Sequence, residues 1–177
     1  MLELSQLIDC KVLENNTNIK DETTELEPGQ ITVIIRGLID DEVAEKLFNT
    51  RSAGIQTVGN RSITVISDSN QLIEEHLYQA IEKDLFIKVE NVQLYSGTSL
   101  DTKAVIVSEL MANIANTLQL GVKANYEKIL GVVYNIPEIE EADISISIDN
   151  IAYVKKDIII SAYEYLNLKA ENIEVVI

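Results

Sequence analysis

Cysteine and histidine are nearly missing: the 177 residues hold one of each, Cys10 and His76. One cysteine excludes an internal disulfide framework and any cysteine-based zinc cluster. Cys10 stands in the alternating run Ile8, Cys10, Val12, where a small buried residue fits better than a nucleophile. His76 has no neighbouring serine, cysteine or second histidine at ligand spacing, so it reads as a partly buried or surface residue. Cations are scarce too, with 14 Lys and Arg against 29 Asp and Glu and a net charge of −15. Nucleic acid and anionic membranes are both negative and bind through clustered Lys and Arg, so neither is an expected partner. No run reaches the ~18 apolar residues of a membrane span. Met1 to Cys10 carries Glu3 and Asp9 and no basic region of a signal peptide, which makes the cytoplasm the expected starting compartment.

The acidic residues do not fill the gap with chemistry. Lys20 to Glu27 and Glu138 to Asp143 lack the spacing and central glycine of a calcium loop, so solvated loops are the better reading than metal sites. Gly54 to Gly59 lacks the GxxxxGK pattern and leads into a strand, which excludes a phosphate cradle. We therefore expect no catalytic residues, no metal and no cofactor. Tyrosines are scattered without basic clusters; Tyr153, Tyr163 and Tyr165, near Lys155 and Lys156, are candidates for an interface as much as for core packing.

What is present is a core-forming composition, 46% hydrophobic, in a length that suits one ordinary domain or two small ones. The strongest local signals lie in Gly37 to Ser62. Asp40 and Asp41 offer a side-chain oxygen to a helix start, and Glu42 adds charge favourable to its dipole. Val43, Ala44, Leu47 and Phe48 then share one helical face, while Glu45, Lys46 and Asn49 point outward. The helix should end near Asn49 to Arg51, with Lys46 and Arg51 complementing the negative end of its dipole. Gly54 and the pair Gly59-Asn60 supply backbone freedom for two tight reversals, and Ile63 to Ile66 leaves as a strand.

In order and spacing, Gly37, Asp40, Asp41, Glu42 and Ala44, then Ser52, Ala53 and Gly54, then Thr57, Gly59, Asn60, Ser62, Thr64 and Val65 form an unusual combination. It resembles the baseplate J-like protein family, a wedge component of the baseplate in contractile phage tails and related injection systems. Weaker similarity extends upstream through Val12 to Thr17 and over most of the chain. One departure is Leu77-Tyr78-Gln79-Ala80, where the family often has Phe-x-Arg-Pro. The resemblance implies a structural role, with other baseplate or tail proteins as partners, assembly in the host cytoplasm and a final place in the tail baseplate. It also implies a longer chain upstream, so that Met1 is the expected start of a fragment, one expected to be a monomer or weak oligomer.

Elsewhere the pattern reads in order. Leu2, Leu4, Leu7 and Ile8 suit a turn or two of helix, Cys10 to Glu14 a strand, Asn15 to Gly29 an exposed loop and Ile31 to Arg36 a buried strand. Leu72, Ile73, His76, Leu77, Ala80 and Ile81 have helical spacing, whereas the resemblance asks for a hairpin turning at Ser67 to Asn70; we favour the hairpin. Leu85 to Tyr95 reads as a strand broken at Ser96-Gly97. Ser99 or Asp101 caps a helix over Lys103 to Leu120 closed by Gly121. A short helix from Lys123 to Leu130 ends at Gly131, and Val132 to Ile136 is a strand stopped by Pro137. Glu138 to Asp143 is a loop, Ile144 to Asp149 a half-exposed strand, and strands at Ile158 to Tyr163 and Ile173 to Ile177 bracket a polar link. Leu4 to Val12 and Tyr126 to Tyr134 look like a faint repeat of a short helix entering a strand.

Together these predict an α+β protein of two small subdomains, 1–84 and 85–177, each with helices packed on a mainly antiparallel sheet. The first functional reading is a non-enzymatic baseplate component. The alternative is a small-molecule-binding domain with its pocket between the sheet and the Lys103 to Leu120 helix; an acidic metal-dependent hydrolase ranks third.

Overall fold

The computed structural model describes residues 7–52, 54–95 and 101–176. The chain divides into two compact units, Met1–Ile81 and Glu82–Ile177. The architecture is α+β, with mostly antiparallel sheets.

In the first unit, β1 (Leu7–Glu14) runs antiparallel to β2 (Gln30–Gly37). Leu7 and Ile8 therefore belong to a strand, not to the helical turn expected of them; Leu2 and Leu4 lie outside the described residues. The connection between the strands is polar, yet it folds around the buried Asn15. The amide of Asn15 donates to Ile19 O and Leu26 O at 2.7 and 2.8 Å, and its Oδ1 accepts from Thr17 N and Oγ1.

Helix α1 (Asp41–Thr50) starts as its sequence dictates, with Asp40 Oδ1 accepting from the Val43 amide at 3.1 Å. It buries Val43, Ala44 and Leu47 against Val33 and Ile35 of β2, and against Val65 and Leu77. Cys10 is half-buried at the margin of this core, and burial pushes its thiol pKa up, away from the nucleophilic thiolate. The two-residue β3 (Gln56–Thr57) and then β5 (Leu72–Gln79) pair with β2, both parallel; β4 (Arg61–Ile66) pairs with β5 antiparallel. The favoured hairpin is thus present, its turn closed by Asn70 N–H to Ser67 O at 2.8 Å. The sheet order β1-β2-β5-β4 leaves β1 and β4 as edges.

In the second unit, β6 (Ile81–Leu94) lies at the centre of a three-stranded sheet between β7 (Ile139–Ser147) and β8 (Glu164–Val175). The division between the units falls at Ile81/Glu82, at the start of β6, three residues before the expected boundary at 84/85. Helix α2 (Thr102–Ile114), capped by Asp101, passes into a single 3-10 turn over Ala115–Thr117 instead of running to Leu120. Gly121 has a φ of +68°, and its amide donates to Glu164 O at 2.8 Å, so a tertiary bond turns the chain there.

Helix α3 (Tyr126–Tyr134) continues through Gly131, which replaces the expected strand at Val132 to Ile136. A mid-helix glycine costs about 1 kcal/mol, and burial of Tyr126, Ile129 and Val133 on one face outweighs it. Because Tyr126 to Tyr134 is a helix and Leu7 to Val12 a strand, the faint repeat has no structural counterpart.

Two further expectations fail for one reason: hydrogen bonding to neighbouring strands is invisible in local composition. Ile139 to Asp143 is strand, with Ile139 and Ala142 buried while Glu140, Glu141 and Asp143 face solvent. The polar link 164–172 is part of β8, where Tyr165 and Asn167 each donate to Glu82 at 2.7 Å and Lys169 pairs with Asp84 at 2.8 Å. Conversely, Ile158 to Tyr163 forms no strand, only an isolated bridge from Ile158 to Ala124. Ile144 and Ile146 are fully buried, as the alternation expects of one strand face, but the pattern breaks at the end of the strand, where Ser147 is buried and Ile148 exposed.

Candidate functional site

Three residues of the sequence motif, Thr57, Gly59 and Asn60, meet β5, and Arg51 joins them there. Arg51, at the end of α1, points its Nε at Glu75 Oε1 of β5, 2.8 Å away, and its Nη1 donates to Ile55 O at 2.9 Å. Glu75 is 0% exposed. Its second oxygen accepts from Thr57 Oγ1 at 3.0 Å, and that hydroxyl in turn accepts the His76 amide at 3.1 Å. Arg51 also lies over the Phe48 ring, 5.6 Å from its centroid. A charge with no solvent contact is tolerable when paired and fully hydrogen-bonded, and here the pairing ties the loop after α1 to β5.

Gly59 and Asn60 continue the clamp. A Cβ on Gly59 would stand 2.1 Å from Leu77 O and 2.7 Å from Leu77 N, so the loop touches the strand backbone where no side chain fits. Its φ lies outside the left-handed region, and the expected need for backbone freedom is replaced there by a need for space. Gly54 does have a φ of +84°, with nothing near its missing Cβ. Asn60 Oδ1 accepts from the Gln79 amide at 2.7 Å, and the Gln79 side chain donates to Ile35 O and Gly37 O, both at 3.2 Å. Ala44 is fully buried on the inner face of α1 and Asp40 caps that helix, whereas Asp41 is exposed in the first turn.

Sequence reasoning placed Arg51 against the helix dipole and missed Glu75 and Gln79. The one available signal was an acid, Glu75, two residues before Leu77 on the same strand face.

Ser62 opposes His76 in the β4–β5 ladder, but its hydroxyl bonds to Glu74, so no serine–histidine hydrogen bond forms. Among the described residues no group of three or more His, Cys, Asp and Glu converges as metal ligands. No helix among them is long and apolar enough to cross a membrane. A recess of about 370 Å³ opens beside the motif, lined by Leu38, Ile39, Arg61, Ser62, Ile63 and Gln79. A groove of about 400 Å³ in the second unit lies between α2 and the end of α3, and the sheet does not line it.

The three tyrosines are half-buried, Tyr163 and Tyr165 together around the start of β8 and Tyr153 apart from them in the loop after β7. The hydroxyl of Tyr153 donates to Asn150 at 2.6 Å and that of Tyr165 to Glu82 at 2.7 Å. Tyr153 closes a loop organised by Asp149, whose carboxylate accepts from Ser147 Oγ at 2.7 Å and the amides of Ile151 and Ala152 at 2.8 and 2.9 Å. These bonds, the Ser147 hydroxyl first, hold the Asp149 pKa down to about 2 from an ordinary 3.8. A folded pKa below the unfolded one stabilises the loop fully above the unfolded value, and the contribution fades as pH falls through the folded one. Carboxyl-detected NMR should give an Asp149 midpoint near 2, and Ser147→Ala should move it upward; a midpoint near 3.8 in the unaltered protein would show that the loop does not hold the carboxylate.

No protein-family model and no curated protein matches the chain. Among solved structures it is similar to a chain in the cryo-EM structure of the anti-feeding prophage baseplate, six-fold symmetrised. The TM-score is 0.55 at 12% identity, covering 96% of this chain and 35% of that one. The likeness shows the fold alone, and this chain spans about a third of the length of its counterpart.

Proposed function

We propose that the protein is a structural, non-enzymatic component of a contractile injection-system baseplate, acting as a wedge protein of the baseplate J-like type that assembles with other baseplate or tail proteins. The observation that carries this reading is the fold likeness to a baseplate chain over 96% of the sequence. The ordered motif from Gly37 to Val65 supports it as well, because Thr57 and Asn60 of that motif hold a loop on β5, a use that is structural. On this reading the chain is made in the host cytoplasm and ends in the tail baseplate. With a net charge of −15, isolated copies repel one another, which makes the chain alone a monomer or weak oligomer.

The test is to purify contractile particles from the source cells by density gradient and label them with an antibody to this chain. Label at one end of the sheath, and loss of sheath-bearing particles on deletion of the gene, is the expected result. Intact, unlabelled particles after deletion would overturn the proposal.

A further inference from the structure

The groove in the second unit has a composition that specifies its occupant. Val105 of α2 and Val132 of α3 are only half-buried in its walls, with Ile136 beneath. Glu109, one turn along α2 from Val105, and Glu138, after α3, bring carboxylates from two elements to the same recess. Asn113 donates to Glu109 Oε2 at 3.0 Å, but among the described residues neither carboxylate has a cationic partner. Asn113 and Asn135 complete a mixed lining, in which the unneutralised acids repel anions and Val105 and Val132 leave aliphatic surface wet. Both deficits are met by one kind of ligand.

We propose that this groove docks a segment of a partner protein that places an aliphatic side chain on Val105, Val132 and Ile136 and a flanking Lys or Arg against Glu109 and Glu138. The volume, about 400 Å³, exceeds one aliphatic side chain and admits the flanking stems. The assignment stands on the groove alone and does not depend on the baseplate reading.

Methyl-detected NMR of the full chain, titrated with three blocked pentapeptides, tests it. The peptides carry Arg-Leu-Arg, Arg-Gly-Arg or Glu-Leu-Glu at their centre. The Arg-Leu-Arg peptide should shift the methyls of Val105, Val132 and Ile136 together and saturably. The Arg-Gly-Arg peptide should bind several-fold more weakly, and the Glu-Leu-Glu peptide should not saturate. Glu109→Gln with Glu138→Gln should weaken the Arg-Leu-Arg peptide by about tenfold and remove most of its salt dependence. Val132→Arg, which brings its own stem and charge to the groove, should block binding if the amide spectrum shows the fold retained. Shifts scattered over the surface, equal binding of the acidic peptide, or affinity unchanged in the double glutamine variant would each overturn the proposal.

Discussion

Alanine in place of Arg51 should cost the first unit about 3–5 kcal/mol of stability, the range for breaking a buried ion pair from one side. The size follows from what is left behind. Glu75 is 0% exposed, and the Arg51 side chain is 18% exposed, so the pair lies largely out of water. Without the guanidinium, Glu75 keeps only the Thr57 hydroxyl, and Ile55 O loses its donor. One neutral hydrogen bond does not offset the desolvation of a carboxylate. Removing both charges is a different matter: Arg51→Met with Glu75→Leu should fall within about 1–2 kcal/mol of the parent, because apolar pairs of similar volume often replace buried ion pairs without loss. Urea unfolding, with amide exchange to assign the loss to residues 31–79, separates the cases. A single variant within 1 kcal/mol of the parent would mean that water reaches Glu75 and that the pair is a surface contact.

Helix α1 was legible in the sequence because every signal for it is local: a capping aspartate, an acidic first turn and an apolar face at i, i+1, i+4. The same kind of signal pointed to a helix at β5, where Leu72, Ile73, His76 and Leu77 have helical spacing, and it was the resemblance that favoured the hairpin that forms. On the strand, Glu75 and Leu77 turn inward together, and it is the ladder with β4 and β2 that holds the segment extended. Val132 to Ile136 failed for the opposite reason. Gly131 and Pro137 looked like boundaries of a strand, whereas the helix tolerates the glycine and ends at its C-cap Asn135, two residues before the proline. The strands at 139–143 and 164–172 were hidden because their acids and amides look like loop until their partners on β6 are known.

The site was legible as a set of residues and not as a mechanism. Thr57, Gly59 and Asn60 stood out by order and spacing, but each acts on β5, some 18 or 19 residues further along the chain. No window short enough to show a period contains both halves of such a contact. Glycine has two separate uses, moreover, and sequence does not distinguish them: one serves an uncommon dihedral, the other serves close approach.

That distinction yields the second large effect. Gly59→Ala should destabilise the first unit by roughly 3 kcal/mol or more, at the upper end of overpacking costs, whereas Gly54→Ala should cost about 1 kcal/mol from left-handed strain alone. The atoms in the way at position 59 are the Leu77 carbonyl oxygen and carbon, at 2.1 and 2.2 Å, and not the far end of a side chain that could swing aside. Leu77 is fully buried, with its side chain in the core beneath α1, so β5 is poorly placed to retreat. The loop must lift instead, and lifting it pulls Asn60 from the Gln79 amide and strains the Thr57 contact with Glu75. Asparagine separates the two causes, since it enters the left-handed region with little penalty but carries a Cβ. Gly54→Asn should therefore lie near the parent in urea unfolding, while Gly59→Asn should be at least as destabilised as the alanine variant. Equal tolerance at both positions would show that the loop does not press on Leu77 in solution.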